Sequence, residues 1–299
     1  MIEKLEMFLA LARERHFGRA AEECGVTQPT LSAAIKQLED QLGALLVLRG
    51  SRFQGFTAEG LRVLDWARRI VGDARAMQEE LKAARHGLTG HVHIAAIPTA
   101  MAVVPLLTRP FCDQNPQVTV TVSSRTSIEI LSMLENLEID VGITYLDNEP
   151  LGRVARMPLY RERYRLVMAA GFPDSPGDPV GWDEVGSLPL CLLTQDMQNR
   201  RILDARLAGT GAGGTPILES DSLITLMAHV RTGRWASVMP ESLIEIFGAA
   251  DGLKSVPIVD PGPGHLVGLV VARREPHRPA IAALLALAGG LARDPGIDR

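Results

Sequence analysis

Cysteine is scarce. The 299 residues hold three, Cys24, Cys112 and Cys191, odd in number, far apart and without a C-x-x-C pair. That excludes a disulfide framework and a thiolate zinc site, and it points to a reducing compartment. An excess of one charge is lacking too. The formal net charge is −4, and residues 1–58 set seven bases against seven acids. A nucleic-acid contact must therefore come from where the bases lie and not from their number. Long hydrophobic runs are missing: the longest apolar-rich stretch, 279–292, is too short for a bilayer and contains two glycines. Glu3, Lys4 and Glu6 leave no apolar core for a signal peptide. The expected location is cytoplasmic, with no membrane partner.

Catalytic motifs are equally thin. No serine sits in a G-x-S-x-G turn. His91 and His93 alternate on one strand, and no Cys, Asp or Glu completes a metal set beside them. GTGAGG at 209–214 matches the dinucleotide pattern, yet a helical segment (200–208) precedes it and Pro216 follows. The fingerprint requires a strand before and a helix after, so this reads as a loop. No enzyme activity, cofactor or metal is expected. A cleft enzyme using that loop as a nucleotide cradle is the weaker alternative.

What is present is organisation. Leu5, Phe8, Leu9 and Ala12 predict a first helix over about 2–15, and Ala20, Ala21 and Cys24 a short second one over 18–24 that Gly25 ends. Thr27 is placed to cap a third helix whose first turn tolerates Pro29. Its apolar stripe is Leu31, Ile35, Leu38 and Leu42, and its opposite face offers Gln28, Thr30, Ser32, Ala33 and Lys36. A helix meant for the major groove needs this lack of bulk outside, with amide and hydroxyl groups for base edges. Leu45–Phe56 reads as two short strands around a tip bearing Arg49 and Arg52, a wing suited to phosphates or the minor groove. The expected DNA-contacting set is Thr27, Gln28, Pro29, Thr30, Ser32, Lys36, Arg49 and Arg52. Thr57 caps a long helix to about Arg85, along which Leu61, Leu64, Val71, Ala74, Met77 and Leu81 form one stripe suited to a partner helix.

After Gly87 and Gly90 the pattern becomes short apolar strands alternating with helices, an α/β unit with a largely parallel sheet. Strands are expected at 92–97, 118–122, 141–144, 165–169, 189–193, 235–239 and 266–272. In open α/β sheets small ligands lie outside strand carboxyl ends, near helix N-termini that favour anions. The junction residues there are Thr99, Ala100 and Met101, then Ser127, then Thr194, Gln195, Asn199 and Arg200, then Ser222. Each could instead be no more than a helix cap, Ser222 above all. With Arg200 or Arg201 the nearest formal charge, the expected ligand is a small organic or inorganic anion.

Taken together, Ala20-Ala21, VTQPTLS (26–32), IKQLE (35–39), Leu42-Gly43 and TAEG (57–60) resemble the DNA-binding domain of the LysR-type transcriptional regulators. The resemblance continues through PLLTRPFCDQNP (105–116), LEIDVGI (137–143) and VRTGRWASVMPESL (230–243). Two positions depart from it: Ala33 stands where relatives usually carry Arg, and Leu46-Val47 replaces Leu-Phe. The resemblance implies a winged helix-turn-helix at 1–58, a linker and dimerisation helix at 59–88, and a two-lobed effector domain, similar to periplasmic binding proteins, at 91–299. Its first lobe would hold about 91–162 and 268–299, its second about 163–267. It further implies an operator-binding regulator of double-stranded DNA that forms dimers through residues 59–85 and commonly tetramers, with its effector in the interlobe cleft at Thr99, Ser127 and Thr194. A constitutive repressor without effector is the alternative within the same class. A transport-type binding protein would leave the first 60 residues without a role.

Overall fold

The computed structural model describes all residues except 49, 51–52, 148–149, 174, 210–215, 248–251, 261 and 292–299. The chain divides into two compact units. One is built on residues 1–89 with the short segments 135–138 and 275–279, the other on the remainder.

The first unit opens with α1 (Ile2–Glu14), α2 (Phe17–Glu23) and α3 (Gln28–Leu42). Leu5, Phe8 and Leu9 of α1 and Leu31, Ile35 and Leu38 of α3 are buried in one core with Ala20 and Ala21. The second helix begins one residue before the expected Gly18, because His16 caps it: the ring Nδ1 accepts from the amides of Gly18 at 3.1 Å and Arg19 at 3.3 Å. Gly25, at φ 65°, takes the left-handed turn out of α2, a conformation that costs a side-chain-bearing residue about 1 kcal/mol or more. Thr27 caps α3 as expected, its Oγ1 accepting from Thr30 N at 3.4 Å.

Among the described residues the wing is smaller than two strands. One antiparallel bridge joins Val47 to Phe56, flanked by Leu48 N to Gly55 O and Thr57 N to Leu46 O, both 3.0 Å. A side chain compensates for the short ladder. The buried carboxylate of Glu39 accepts from Leu46 N at 2.8 Å and Val47 N at 3.2 Å. Phe56 then lies edge-on to Phe8 and Phe53, with ring centroids 5.3 and 5.0 Å away.

Helix α4 (Ala58–His86) has 29 residues, about 43 Å at the usual rise. The single expected stripe is in fact two. Leu64, Ala67 and Val71 are buried in the core of this unit, whereas Leu61, Trp66, Ile70, Met77 and Leu81 are exposed. The 13 residues of α1 can cover only part of a helix more than twice as long. Gly60 marks the tightest approach: a Cβ there would stand 2.1 Å from the Leu46 carbonyl oxygen, so only glycine fits.

The second unit starts with β1 (Gly90–Ala96), a 3-10 turn (Pro98–Ala100), α5 (Val104–Gln114), β2 (Val118–Ser124), α6 (Ser127–Glu135), β3 (Val141–Tyr145) and β4 (Val154–Glu162). There follow β5 (Tyr164–Ala169), α7 (Trp182–Ser187), β6 (Cys191–Leu193), α8 (Gln198–Ala208), β7 (Leu218–Ser220), α9 (Leu223–Val230), β8 (Ser237–Pro240) and α10 (Glu241–Phe247). The unit closes with β9 (Leu253–Pro257), β10 (His265–Ala272) and α11 (Pro279–Leu291). The larger sheet has the order β2-β1-β3-β10-β4. It is mixed, which corrects the expectation of a largely parallel sheet: β1 pairs parallel with β2 and β3, but β10 is antiparallel to both β3 and β4. A second sheet, β8-β5-β9, is antiparallel throughout, and β6 with β7 forms a short parallel pair.

Strands β4, β7 and β9 were not foreseen. β4 and β9 are edge strands, which hides them in the sequence: charged residues and proline are tolerated where one side of the ladder is unpaired. The chain leaves the large sheet at Glu162, enters the second sheet at Tyr164 and returns through β10. Among the described residues no helix is long and apolar enough to cross a membrane.

Candidate functional site

On the first unit, α3 separates its faces cleanly. Leu31, Ile35 and Leu38 are buried, while Gln28, Pro29, Thr30, Ser32, Ala33 and Lys36 are exposed. The Thr27 and Thr30 hydroxyls lie 2.9 Å apart, which occupies part of their hydrogen-bonding capacity and fixes the first turn. Gln28 leans toward α2: its Oε1 would be 3.5 Å from a Cβ at Gly18. The result is an unobstructed outer face with one amide, two hydroxyls and one ammonium. Arg49 and Arg52 lie outside the described residues.

On the second unit, a small cavity gathers residues just beyond β1, at the end of β3, at the start of α6 and from the end of β6 into α8. Thr99, Ser127, Tyr145, Gln198 and Asn199 line it, together with Leu193 and Met197. It is small, with interior room for about one water molecule, and it opens in part to solvent. Thr99, Ser127 and Asn199 are three of the expected effector contacts, brought together from the 3-10 turn, the first residue of α6 and the first turn of α8. Ser127 is 2% exposed and its Oγ finds no hydrogen-bond partner among the described residues. Buried hydroxyls are ordinarily satisfied, so this one leaves hydrogen-bonding capacity in the cavity wall.

The remaining expected residues do other things. Ala100 is buried, Met101 and Thr194 are half-buried, and Gln195 is exposed; none of them lines the cavity. Ser222 caps α9, its Oγ accepting from Thr225 N at 3.3 Å. Arg200, expected to supply the positive charge, is 2% exposed and committed elsewhere. Its Nε reaches Asp204 at 2.7 Å, and its Nη1 reaches Glu219 at 2.5 Å and the Leu193 carbonyl at 2.8 Å. Arg201 turns to Gln198 Oε1 at 2.9 Å and the Asp196 carbonyl at 2.8 Å. No lining residue carries a formal charge.

Behind the cavity wall lies a carboxylate that the sequence reading did not single out. Glu162 ends β4, is 2% exposed, and accepts a hydrogen bond from the Tyr145 hydroxyl. That hydroxyl is also 3.3 Å from Thr99 Oγ1 and 3.4 Å from the Tyr164 hydroxyl. Burial pushes the Glu162 pKa up to about 7, while the hydrogen bond from Tyr145 and the nearby polar side chains of Tyr164, Thr99 and Asn199 favour its charged form. The same burial, with the charge of Glu162, holds Tyr145 well above the usual phenol range. Glutamate at the end of an unrecognised edge strand gives no periodic signal. The alternation of Tyr160, Glu162 and Tyr164 across the sheet crossover was the available hint.

A helix-turn-helix with a wing, followed by a long helix and an α/β unit holding a polar-lined cavity, defines a DNA-binding regulator with a ligand-binding domain. Comparison with known proteins agrees. Residues 2–61 match the family model described as bacterial regulatory helix-turn-helix protein, lysR family, and residues 85–292 match the LysR substrate binding domain. The chain belongs to the LysR family of DNA-binding transcriptional regulators. It is 28% identical over 282 residues to the DNA-binding transcriptional dual regulator OxyR of Escherichia coli, covering 93% of this chain and 91% of that protein. A full-length OxyR from Pseudomonas aeruginosa, substituted at one cysteine, superposes with a TM-score of 0.74 at 27% identity, covering 98% of this chain and 99% of the other. Full-length CbnR complexed with its target DNA shares the fold at a TM-score of 0.60 and 21% identity, covering 96% and 98%.

Proposed function

We propose that the chain binds operator DNA through the exposed face of α3 and that a small effector in the cavity between Thr99, Ser127 and Asn199 modulates that binding. The proposed organisation is a DNA-binding domain at 1–58, a linker helix at 59–88 and an effector domain at 91–299, its lobes near 91–162 with 268–299 and 163–267. The observation that carries the reading is α3 itself, whose inner residues are buried and whose outer face offers Gln28, Thr30, Ser32 and Lys36. The exposed Leu61, Trp66, Ile70, Met77 and Leu81 on α4 support dimerisation through that helix, and tetramers follow by analogy with the family. The protein acts in the cytoplasm and catalyses no reaction. An effector shifts the regulator only insofar as it prefers one DNA-bound arrangement over another.

Several relatives are named hydrogen peroxide-inducible genes activators. Sensing through thiol oxidation is not the reading favoured for this chain. A reactive thiol needs exposure and a lowered pKa, whereas Cys191 is fully buried with a pKa pushed up to about 11, and burial raises Cys24 as well. No cysteine lines the cavity.

Selection of genomic fragments by the purified full-length chain tests the central claim. Enrichment of a dyad-symmetric sequence is expected, and retention of fragments without sequence preference would overturn it.

A further inference from the structure

Two opposing fields meet at the cavity. The first residue of α6, Ser127, and the first turn of α8, with Gln198 and Asn199, both face it. These helices have 9 and 11 residues, and helix N-termini carry partial positive charge that favours anions. Ser127 Oγ, buried and without a partner among the described residues, is a further free hydroxyl in the wall. Against this stands the carboxylate of Glu162, one side chain behind the wall and bonded to the Tyr145 hydroxyl that forms part of it. No full positive charge lies in the lining to offset it, because Arg200 is committed to Asp204 and Glu219.

From this arrangement, and resting on the reading of the cavity as the effector site, we infer that Glu162 sets its charge selectivity: a small anion enters only together with a proton taken up by Glu162, whereas a neutral hydrogen-bonding molecule enters without one. Glu162 is thus a specificity-determining residue that acts through Tyr145 and Thr99 and does not itself touch the ligand. With the carboxyl protonated, the two helix ends and Ser127 favour a carboxylate or an inorganic oxyanion. With it ionised, a full negative charge in a dry setting outweighs two partial positive ones.

Glu162 also borders a larger hollow lined by Arg163, Arg165, Glu241 and Asp260, where Arg165 pairs with Glu241 at 3.0 Å and Asp260 with Arg206 at 3.2 Å. Burial, not these charges, governs Glu162, and the groups nearest its carboxyl do not reverse the rule. Tyr145 on β3, Tyr160 on β4 and Tyr164 on β5 are all held well above the usual phenol range by burial and by the charge of Glu162, so they remain neutral. His265 on β10 is the cross-strand partner of Glu162, with its ring centroid 6.3 Å from those of Tyr145 and Tyr164. Burial keeps its pKa below the usual value, with Asp147 and Asp260 acting against that and Arg206 reinforcing it. It therefore adds no charge above neutral pH. Thr99 and Asn199, from the 3-10 turn and α8, do not titrate.

The isosteric pair formate and formamide tests the inference on the full-length chain, by calorimetric titration between about pH 6 and pH 8.5. Formate affinity is expected to fall at least tenfold across that range, while formamide affinity stays level. Titration of formate in two buffers of different ionisation enthalpy should show net proton uptake near pH 7.5. Glu162→Gln should abolish both the pH dependence and the proton uptake and raise formate affinity at pH 8.5 at least tenfold. The two-buffer measurement needs only the natural chain, so it decides the matter even if the variant folds poorly. Formate binding that is independent of pH, or without proton uptake, overturns the charge rule and leaves the ligand site standing. Failure of both probes to bind at any pH overturns the site and the rule together.

Discussion

The Tyr145 hydroxyl donates to the carboxylate of Glu162 where the chain passes from one sheet of the effector domain to the other. Tyr145 ends β3 of the larger sheet, and Glu162 is the last residue of β4, two positions before Tyr164 opens β5. A titratable group thus occupies the crossover beside the candidate ligand cavity, buried among hydroxyls and held at a pKa of about 7.

Linkage makes this measurable. The folded pKa of Glu162 is raised from 4.5 to about 7, so between those values the folded state binds more protons than the unfolded one. The contribution of this group is fully present below about pH 4.5 and is lost as pH rises through about 7, a fall of order 3 kcal/mol. Glu162→Gln keeps the shape and the acceptor for Tyr145 but removes the titration. Denaturant unfolding monitored on the effector domain should show the natural chain losing stability from pH 5 to pH 8 and the variant losing markedly less. Parallel pH profiles for the two would show that Glu162 is ionised in both states throughout.

How much of this was legible beforehand depends on the kind of signal each residue carries. The recognition helix was readable because Leu31, Ile35 and Leu38 recur at helical spacing between a capping Thr27 and Gly43 at φ 67°. Thr99, Ser127 and Asn199 were readable because they sit at strand-to-helix junctions, where ligand sites are local in sequence. Arg200 was misread for a physical reason: its partners Asp204 and Glu219 are 4 and 19 residues away, and only the fold shows both of them reaching its guanidinium. β4 was missed because Arg156, Pro158 and Arg161 dilute its apolar content, as an edge strand permits. Glu162 fell with it. A buried acid is a property of tertiary surroundings, and composition places such residues outside.

The wing depends on a single acid of α3. Glu39 is 6% exposed and accepts from the amides of Leu46 and Val47, so one carboxylate supplements a ladder that has one bridge among the described residues. Glu39→Ala leaves two buried amide donors without that partner, at a cost of about 1–3 kcal/mol for each group left unsatisfied. The expected outcome is a lower unfolding midpoint for the N-terminal unit and weaker DNA binding at all sequences, since the wing loses its anchor and the reading face of α3 is untouched. An unchanged midpoint would mean that water replaces the carboxylate without loss.

Thiol chemistry gives a third outcome. Cys191 is fully buried with its pKa pushed up to about 11, so it should resist a thiol reagent in the folded chain and react only after unfolding. Operator affinity should be the same before and after mild peroxide treatment, and the same in a chain with Cys24, Cys112 and Cys191 all replaced by serine. A peroxide-dependent change in affinity that disappears in the serine chain would restore a thiol sensor.

Gln28 and Lys36 share the exposed face of α3 but should fail differently when removed. Gln28 offers a paired donor and acceptor suited to an adenine edge, so it reads sequence, whereas Lys36 offers a point charge suited to phosphate. Gln28→Ala should cost about 1–3 kcal/mol at the best operator and almost nothing at unrelated DNA, relaxing preference at one base pair in each half-site. Lys36→Ala should weaken binding to every sequence alike and lower the slope of log affinity against log salt by about one for each subunit's lost contact. Competition binding at three salt concentrations separates the two. Because Ala33 offers no base between them, no charge at that position compensates for either loss. A uniform loss for Gln28→Ala, or a sequence-selective one for Lys36→Ala, would exchange the roles of reader and anchor along this helix.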